Sequence, residues 1–312
     1  MDEQIHNNES TSQMMIRTGI NVITPSGYGG EGAPPMNENL REIGPSCTSC
    51  SGASTMTLSF VYALGRIEPR FPRLSLEKEF AQATARSDTA GLTDQQVLQS
   101  VLSRPENRYL ARQLCWVMTI QGLETYLLQP RDPSDFDLLV QTIRREPSPL
   151  DIDVVIGVRG PIAPPEMCNG LMLPIAGFDQ IYSFDRDTLI KAIPKPEKIK
   201  PEQFVHAAEE VLSRIVQLTD NAGASDEHRA LNYLTLRYPS IYSTAVDEFA
   251  RDFSLTCVET RPSVVGGSRK IVEVIFSYTN RNTDFTEKFC VRVDVSDEFP
   301  FLVARLSPYF DR

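Results

Sequence analysis

Histidine is scarce: three residues in 312. His6 lies near the start, and His206 and His228 fall on expected helices among charged neighbours. None forms a His-Glu-x-x-His or paired-His pattern, so a helical zinc-hydrolase site is excluded. A serine-hydrolase turn of the form GxSxG is absent, as are a P-loop and a dinucleotide-binding glycine fingerprint ahead of a helix. A cysteine nucleophile needs a histidine partner, and residues 47–193 contain no histidine. The acidic pairs Asp151/Asp153 and Asp185/Asp187 read as strand-edge solvation and helix capping rather than a catalytic dyad. These gaps leave no base–nucleophile set for catalysis. No apolar run approaches the ~20 residues of a membrane helix. The opening "MDEQIHNNESTSQ" lacks the basic-then-apolar layout of a signal peptide, so the expected address is cytoplasmic. No repeat recurs at a fixed period.

Positive charge is also short: 31 Lys and Arg stand against 41 Asp and Glu, a formal net charge of −10. Sequence-independent nucleic-acid binding needs a basic surface to displace counterions, so the balance argues against it. Six cysteines in the whole chain are too few for a disulfide scaffold.

What is present reads as an α+β protein: a mixed helix/strand module followed by a smaller module with a helix pair and an antiparallel meander. Residues 1–45 are rich in Gly, Pro and Asn and bury little, which predicts a flexible arm with one short strand option at 20–23. Residues 46–195 form the first module. "TLSFVYALGRIEPRFP" is expected to begin as a strand, and "SLEKEFAQATA" is an expected helix with Ser75 as its cap. Thr93 and Gln96 stand in capping-box spacing. "ENRYLARQLCWVMTI" is expected to be helical, with Leu110, Leu114, Val117 and Met118 in one stripe and Cys115 beside it. Strands at 123–129, "DIDVVIGVRG" and "IAGFDQIYSF" and helices over "PSDFDLLVQTIRR" and "DRDTLIKAI" complete it, with a Pro-rich loop at "PIAPPEMCNGLMLP". "PKPEKIKPEQ" marks a linker, so residues 196–312 form the second module. There two helices precede a meander in which Val272, Val274, Phe276 and Tyr278 share a face, as do Phe289, Val291, Val293 and Val295.

"GPSCTSCSGAS" places Cys47 and Cys50 in a Cys-x-x-Cys pair with a glycine two residues on, as in a zinc knuckle. One pair supplies two of the four ligands of structural zinc; Cys115 and Cys168 are the remaining thiols of the first half. The redox alternative wants a helix N-terminus behind the pair, which "TSCSGAST" is poorly suited to provide. The plain alternative is that Cys115 and Cys168 are buried small hydrophobes, as Cys257 and Cys290 on strands are expected to be. Arg66, Glu68, Arg70, Arg159 and Glu166 stand among prolines and glycines. Rigid loops with paired charges suit a peptide-binding groove, and equally a salt-bridge network between loops.

"FVYALGRIEPRFP", "RQLCWV", "GLETYLLQPRD", "DVVIGVRGPIAPPEMCNGLMLP" and "FPFLVARLSPYFD" resemble the C-terminal region of the PatG-type cyanobactin maturation protease, over residues 47–312. Family members cleave and macrocyclise ribosomal peptides with a subtilisin-like domain, and this C-terminal region is a module of undefined role. No subtilisin-like Asp/His/Ser domain precedes the module here, so protease activity does not carry over. The resemblance implies an association with ribosomal peptide maturation. It also places the Cys-x-x-Cys pair, Cys115 and Cys168 within the module's own motifs. The expectation is a non-catalytic accessory protein stabilised by structural zinc on Cys47, Cys50, Cys115 and Cys168. Its partner would be a precursor peptide or a processing enzyme, and it would be a homo-oligomer that binds neither nucleic acid nor membrane. The alternative is a zinc-dependent peptide-modifying enzyme with one open metal position.

Overall fold

The computed structural model describes residues 59–85, 91–192, 201–218 and 220–310. The arm at 1–45, its strand at 20–23, and Cys47 and Cys50 lie outside the described residues. The fold is α+β, as the composition and patterning imply.

Strand β1 (Ser59–Arg70) is long enough to serve two neighbours. Its first half runs antiparallel to β4 (Asp151–Ile162), from Ser59 opposite Arg159 to Gly65 opposite Asp153. Its second half pairs with β2 (Cys115–Ile120), from Arg66 opposite Thr119 to Arg70 opposite Cys115. β2 and β3 (Leu123–Pro130) form a hairpin, and β3 lies parallel to β5 (Pro174–Asp185), which returns antiparallel to β4. The order β1-β2-β3-β5-β4 closes on itself. A five-stranded barrel in this order, with a helix between β3 and β4, is the architecture of an OB-fold.

Three helices, α1 (Leu74–Ala85), α2 (Asp94–Leu102) and α3 (Arg108–Gln113), fill the connection from β1 to β2. α4 (Phe136–Thr142) stands between β3 and β4, and α5 (Arg186–Ala192) follows β5. Thr93 and Gln96 close the expected capping box. Ser75 lies inside α1 rather than at its cap, and Asp132 caps the turn before α4 by accepting from the Ser134 amide at 2.8 Å.

The helix expected through Met118 stops at Gln113, and residues 115–120 are strand. The cause is tertiary: Trp116 and Met118 point into the barrel core while Cys115 and Val117 face outward, so every second residue needs cover from a different layer. A helix would have stacked these residues on one stripe. The Trp116 indole donates to the Ala111 carbonyl at 2.9 Å, which pins the break between α3 and β2.

Helices α6 (Pro201–Leu218), α7 (Asp226–Arg237) and α8 (Ser240–Ala250) lead into the sheet β6 (Phe253–Pro262), β7 (Ile271–Asn280), β8 (Thr286–Asp294) and β9 (Phe301–Tyr309), in sequential order. Sequence patterning supplies two of these helices and three of these strands; α8 and β9 are additions. The expected faces pair across strands: Val272 with Val293, Val274 with Val291, Phe276 with Phe289.

Barrel and sheet are joined through α7 and the segment before it. Where β1 pairs only with β4, its other edge is taken by residues 221–223. The Tyr62 amide donates to the Gly223 carbonyl at 3.1 Å, and the Leu64 amide to the Asn221 carbonyl at 2.8 Å. Asn232 on α7 donates to the Tyr62 carbonyl at 2.7 Å. Arg229, 1% exposed, donates to the carbonyls of Val295, Asp297 and Glu298 and lies over the Phe60 ring at 5.1 Å. Leu58–Arg312 accordingly forms one compact unit.

Candidate functional site

Cys168 sits in the loop between β4 and β5, folded tightly by backbone bonds from Gly170 to Pro165 at 2.7 Å and from Leu171 to Cys168 at 2.9 Å. That loop lies over the outer face of β2 and β3. Cys115 opens β2 beneath it, and the two sulfurs are joined as a disulfide with their Cα atoms 6.0 Å apart. Both are buried in an apolar cluster with Val117, Leu127 and Ala163. Two thiols 53 residues apart in sequence are therefore brought together, although Cys115 is on a strand and not the expected helix. Among the described residues no set of three His, Cys, Asp or Glu side chains could hold a metal. A metal here would need ligands from elsewhere in the chain, and Cys47 and Cys50 have the matching soft-donor chemistry.

The charged residues divide. Arg66, Glu68 and Arg70 alternate outward along β1. Arg70 pairs with Glu124 at 2.6 Å and with Glu68 at 3.6 Å, and Arg66 donates to the Ser148 carbonyl at 3.1 Å. Arg159 stands at the other end of the β1–β4 ladder, opposite Ser59, and Glu166 is exposed in the Cys168 loop. The first three form a row whose charges answer neighbouring elements; the five do not converge on one groove. His206 is exposed on α6, and His228 faces Asp220 at 3.6 Å. Cys257 and Cys290 lie on β6 and β8 as expected, the first exposed and the second buried.

Two polar groupings were not anticipated. Arg131, just after β3, bonds both Asp179 on β5 and Glu298 before β9, at 2.5 and 3.2 Å. Burial, with the neighbouring Asp179 carboxyl, raises the Glu298 pKa to about 7. On the sheet, Glu273 accepts from Arg292 Nε at 2.9 Å, Arg261 Nε at 3.0 Å and the Ser263 hydroxyl at 3.1 Å. Its burial pushes the carboxyl pKa up, but these donors outweigh that and leave it below the usual glutamate value. The visible signal was a lone glutamate within the apolar run "IVEVIF".

A family model described as PatG C-terminal matches residues 198–309. That segment is a PatG C-terminal domain. It spans the helices α6–α8 and the four-stranded sheet. A solved structure titled "PatG Domain of Unknown Function" superposes with a TM-score of 0.66 at 20% identity, covering 80% of this chain and 98% of that one. At that identity the likeness speaks for the fold, and it extends beyond the PatG C-terminal domain into the barrel. No curated protein matches the sequence. No described helix is long and apolar enough to cross a membrane.

Proposed function

We propose that this chain is a non-catalytic accessory protein of ribosomal peptide maturation of the cyanobactin type. It would bind a precursor peptide or the enzyme that processes it, and a structural zinc ion on Cys47, Cys50, Cys115 and Cys168 would stabilise it. The match of residues 198–309 to the PatG C-terminal family supports the pathway association. The zinc reading rests on one observation: Cys115 and Cys168, far apart in sequence, meet in a buried apolar setting. Four thiolates suit zinc, and an ion held that way contributes folding energy rather than reactivity. Cys115 and Cys168 would tie the loop to β2, and the Cys47–Cys50 knuckle would tie the N-terminal segment to both.

The pairing of Cys115 with Cys168 favours a second reading, a metal-free interaction module in which the two stay oxidised. Elemental analysis of protein purified under reducing conditions decides between them. One zinc per chain, lost together with thermal stability in Cys47→Ser, supports the first. A folded, zinc-free protein whose Cys115 and Cys168 peptides remain cross-linked overturns it in favour of the second. Co-purification with the peptides and enzymes encoded alongside this chain tests the accessory role, and light scattering its oligomeric state.

A further inference from the structure

The helices α6–α8 cover one face of the C-terminal sheet, the one carrying Val274, Phe276 and Tyr278. Glu248 of α8 lies close to the Tyr278 hydroxyl. The opposite face carries Glu259 and Arg261 on β6, Glu273 on β7, Lys288 and Arg292 on β8, and Phe301, Val303 and Arg305 on β9. Its charges are layered. The carboxylates of Glu273 and Asp294 lie beneath, with side chains 7% and 1% exposed. The guanidinium groups of Arg261, Arg292 and Arg269 lie above them, about half exposed.

The layering preorganises the arginines. Glu273 takes the Nε atoms of Arg261 and Arg292, which fixes both guanidiniums in place. The Arg261 terminal nitrogen reaches the Tyr309 hydroxyl at 2.6 Å, and its guanidinium lies 5.1 Å from the ring centroid, bridging β6 to β9 over the sheet centre. Arg305 is exposed on the edge strand, beside Phe301 and Val303, which are 46% and 38% exposed. A chain with net charge −10 thus presents one face on which four arginines outnumber the one exposed strand acid, Glu259, and an apolar strip runs along the rim.

We propose that this face docks an acidic peptide, whose carboxylates meet Arg261, Arg292, Arg269 and Arg305 and whose apolar side chains meet Phe301 and Val303. Planar guanidiniums held by a buried carboxylate suit bidentate contact with a second carboxylate. The acidic whole disfavours a nucleic acid, whose long phosphate run would meet repulsion beyond the face. The peptide lies across the face rather than adding a fifth strand. At the β9 edge, the outward amide of Leu306 already donates to the Tyr238 hydroxyl at 3.0 Å. This deepens the peptide-binding reading above and moves its site from the barrel to the sheet.

The test is fluorescence anisotropy of a labelled peptide of alternating Glu and Leu at low salt, with a Gln/Leu peptide and a single-stranded oligonucleotide as controls. Only the Glu peptide is expected to bind the full chain. Arg292→Gln is expected to weaken it about tenfold, the loss of one charge-assisted contact. Should Arg292→Gln disturb folding by freeing Glu273, Arg305→Glu supplies the same readout at an exposed residue. Equal binding of the oligonucleotide, no binding of the Glu peptide, or unchanged binding in Arg305→Glu each overturns the proposal. Binding lost in Arg66→Gln/Arg70→Gln but kept in Arg305→Glu overturns it while preserving a peptide-binding protein.

Discussion

Gly223 and Tyr62 are in backbone contact: the Tyr62 amide donates to the Gly223 carbonyl, and a Cβ built on Gly223 would lie 2.0 Å from the Tyr62 carbonyl oxygen. Gly223 also has φ +58°, a region open to glycine at little cost. This contact seats the segment before α7 on the unpaired edge of β1. It therefore couples the PatG C-terminal domain to the barrel.

Gly223→Ala is accordingly expected to destabilise the whole chain by about 3 kcal/mol, combining left-handed strain with a backbone clash that no rotamer relieves. Gly267→Ala, with similar φ of +62° and open space around it, is the control and should cost only about 1 kcal/mol. Urea unfolding of both variants makes the comparison. Equal losses would mean that the clash is absorbed and the seating is loose.

Asp153 governs a pH dependence. It is 4% exposed on β4, accepts from the Ile67 amide at 2.8 Å where β1 passes from β4 to β2, and accepts from the Ser183 hydroxyl. Burial raises its pKa to about 6 from 3.8. The folded state then binds this proton more tightly than the unfolded chain does. Its stabilising contribution is full below about pH 4 and is lost as pH rises toward 6, by roughly 3 kcal/mol. Asn keeps an acceptor for Ile67 and has no proton to lose. Asp153→Asn should flatten the stability profile between pH 4 and 6, measured by denaturant midpoint; a slope identical to wild type would remove Asp153 as its source.

Thiol chemistry should sort by position. Cys257 is exposed on β6, while Cys290 is buried beneath the Arg261–Tyr309 bridge, and burial pushes its thiol pKa up. Since the thiolate is the nucleophile, native-state alkylation with iodoacetamide should mark Cys257 at least about tenfold faster than Cys290. Peptide mass spectrometry reads the ratio. Tyr309→Ala should speed the marking of Cys290, and no change would mean that the ring does not shield it.

Much of this was readable from pattern where a rule acts locally. The Thr93–Gln96 capping box, the β7 and β8 alternation and the Pro-rich loop depend on residues close in sequence. Residues 115–120 were misread because "CWVMTI" is apolar but for Thr119, and a run buried on both faces has no period to betray a strand. α8 was missed because "SIYSTAVDEFA" opens with β-branched and hydroxyl residues and follows Pro239 without a side-chain cap. The parallel pairing of β3 with β5, which gives the barrel its order, leaves no local trace at all. At the site, the closeness of Cys115 and Cys168 follows from barrel closure, while the role of Glu273 depends on arginines two strands apart.

Arg229 offers the sharpest test of how the sheet is held to the barrel. It is fully buried on α7, with one ion pair to Asp226 at 3.2 Å, and gathers three carbonyls of the segment leading into β9. Burial lowers its pKa, Asp226 opposes that, and a guanidinium keeps its proton at neutral pH regardless. Lysine keeps the charge but presents a single ammonium, which cannot span carbonyls that two separate guanidinium nitrogens now reach. Arg229→Lys should therefore lose about 3 kcal/mol, the scale of a buried charge with partners removed. The loss should be concentrated in the segment it holds. Hydrogen exchange at residues 295–299 should accelerate far more than at β2 or β3. Uniform acceleration across barrel and sheet would instead show that Arg229 supports global stability and not this junction.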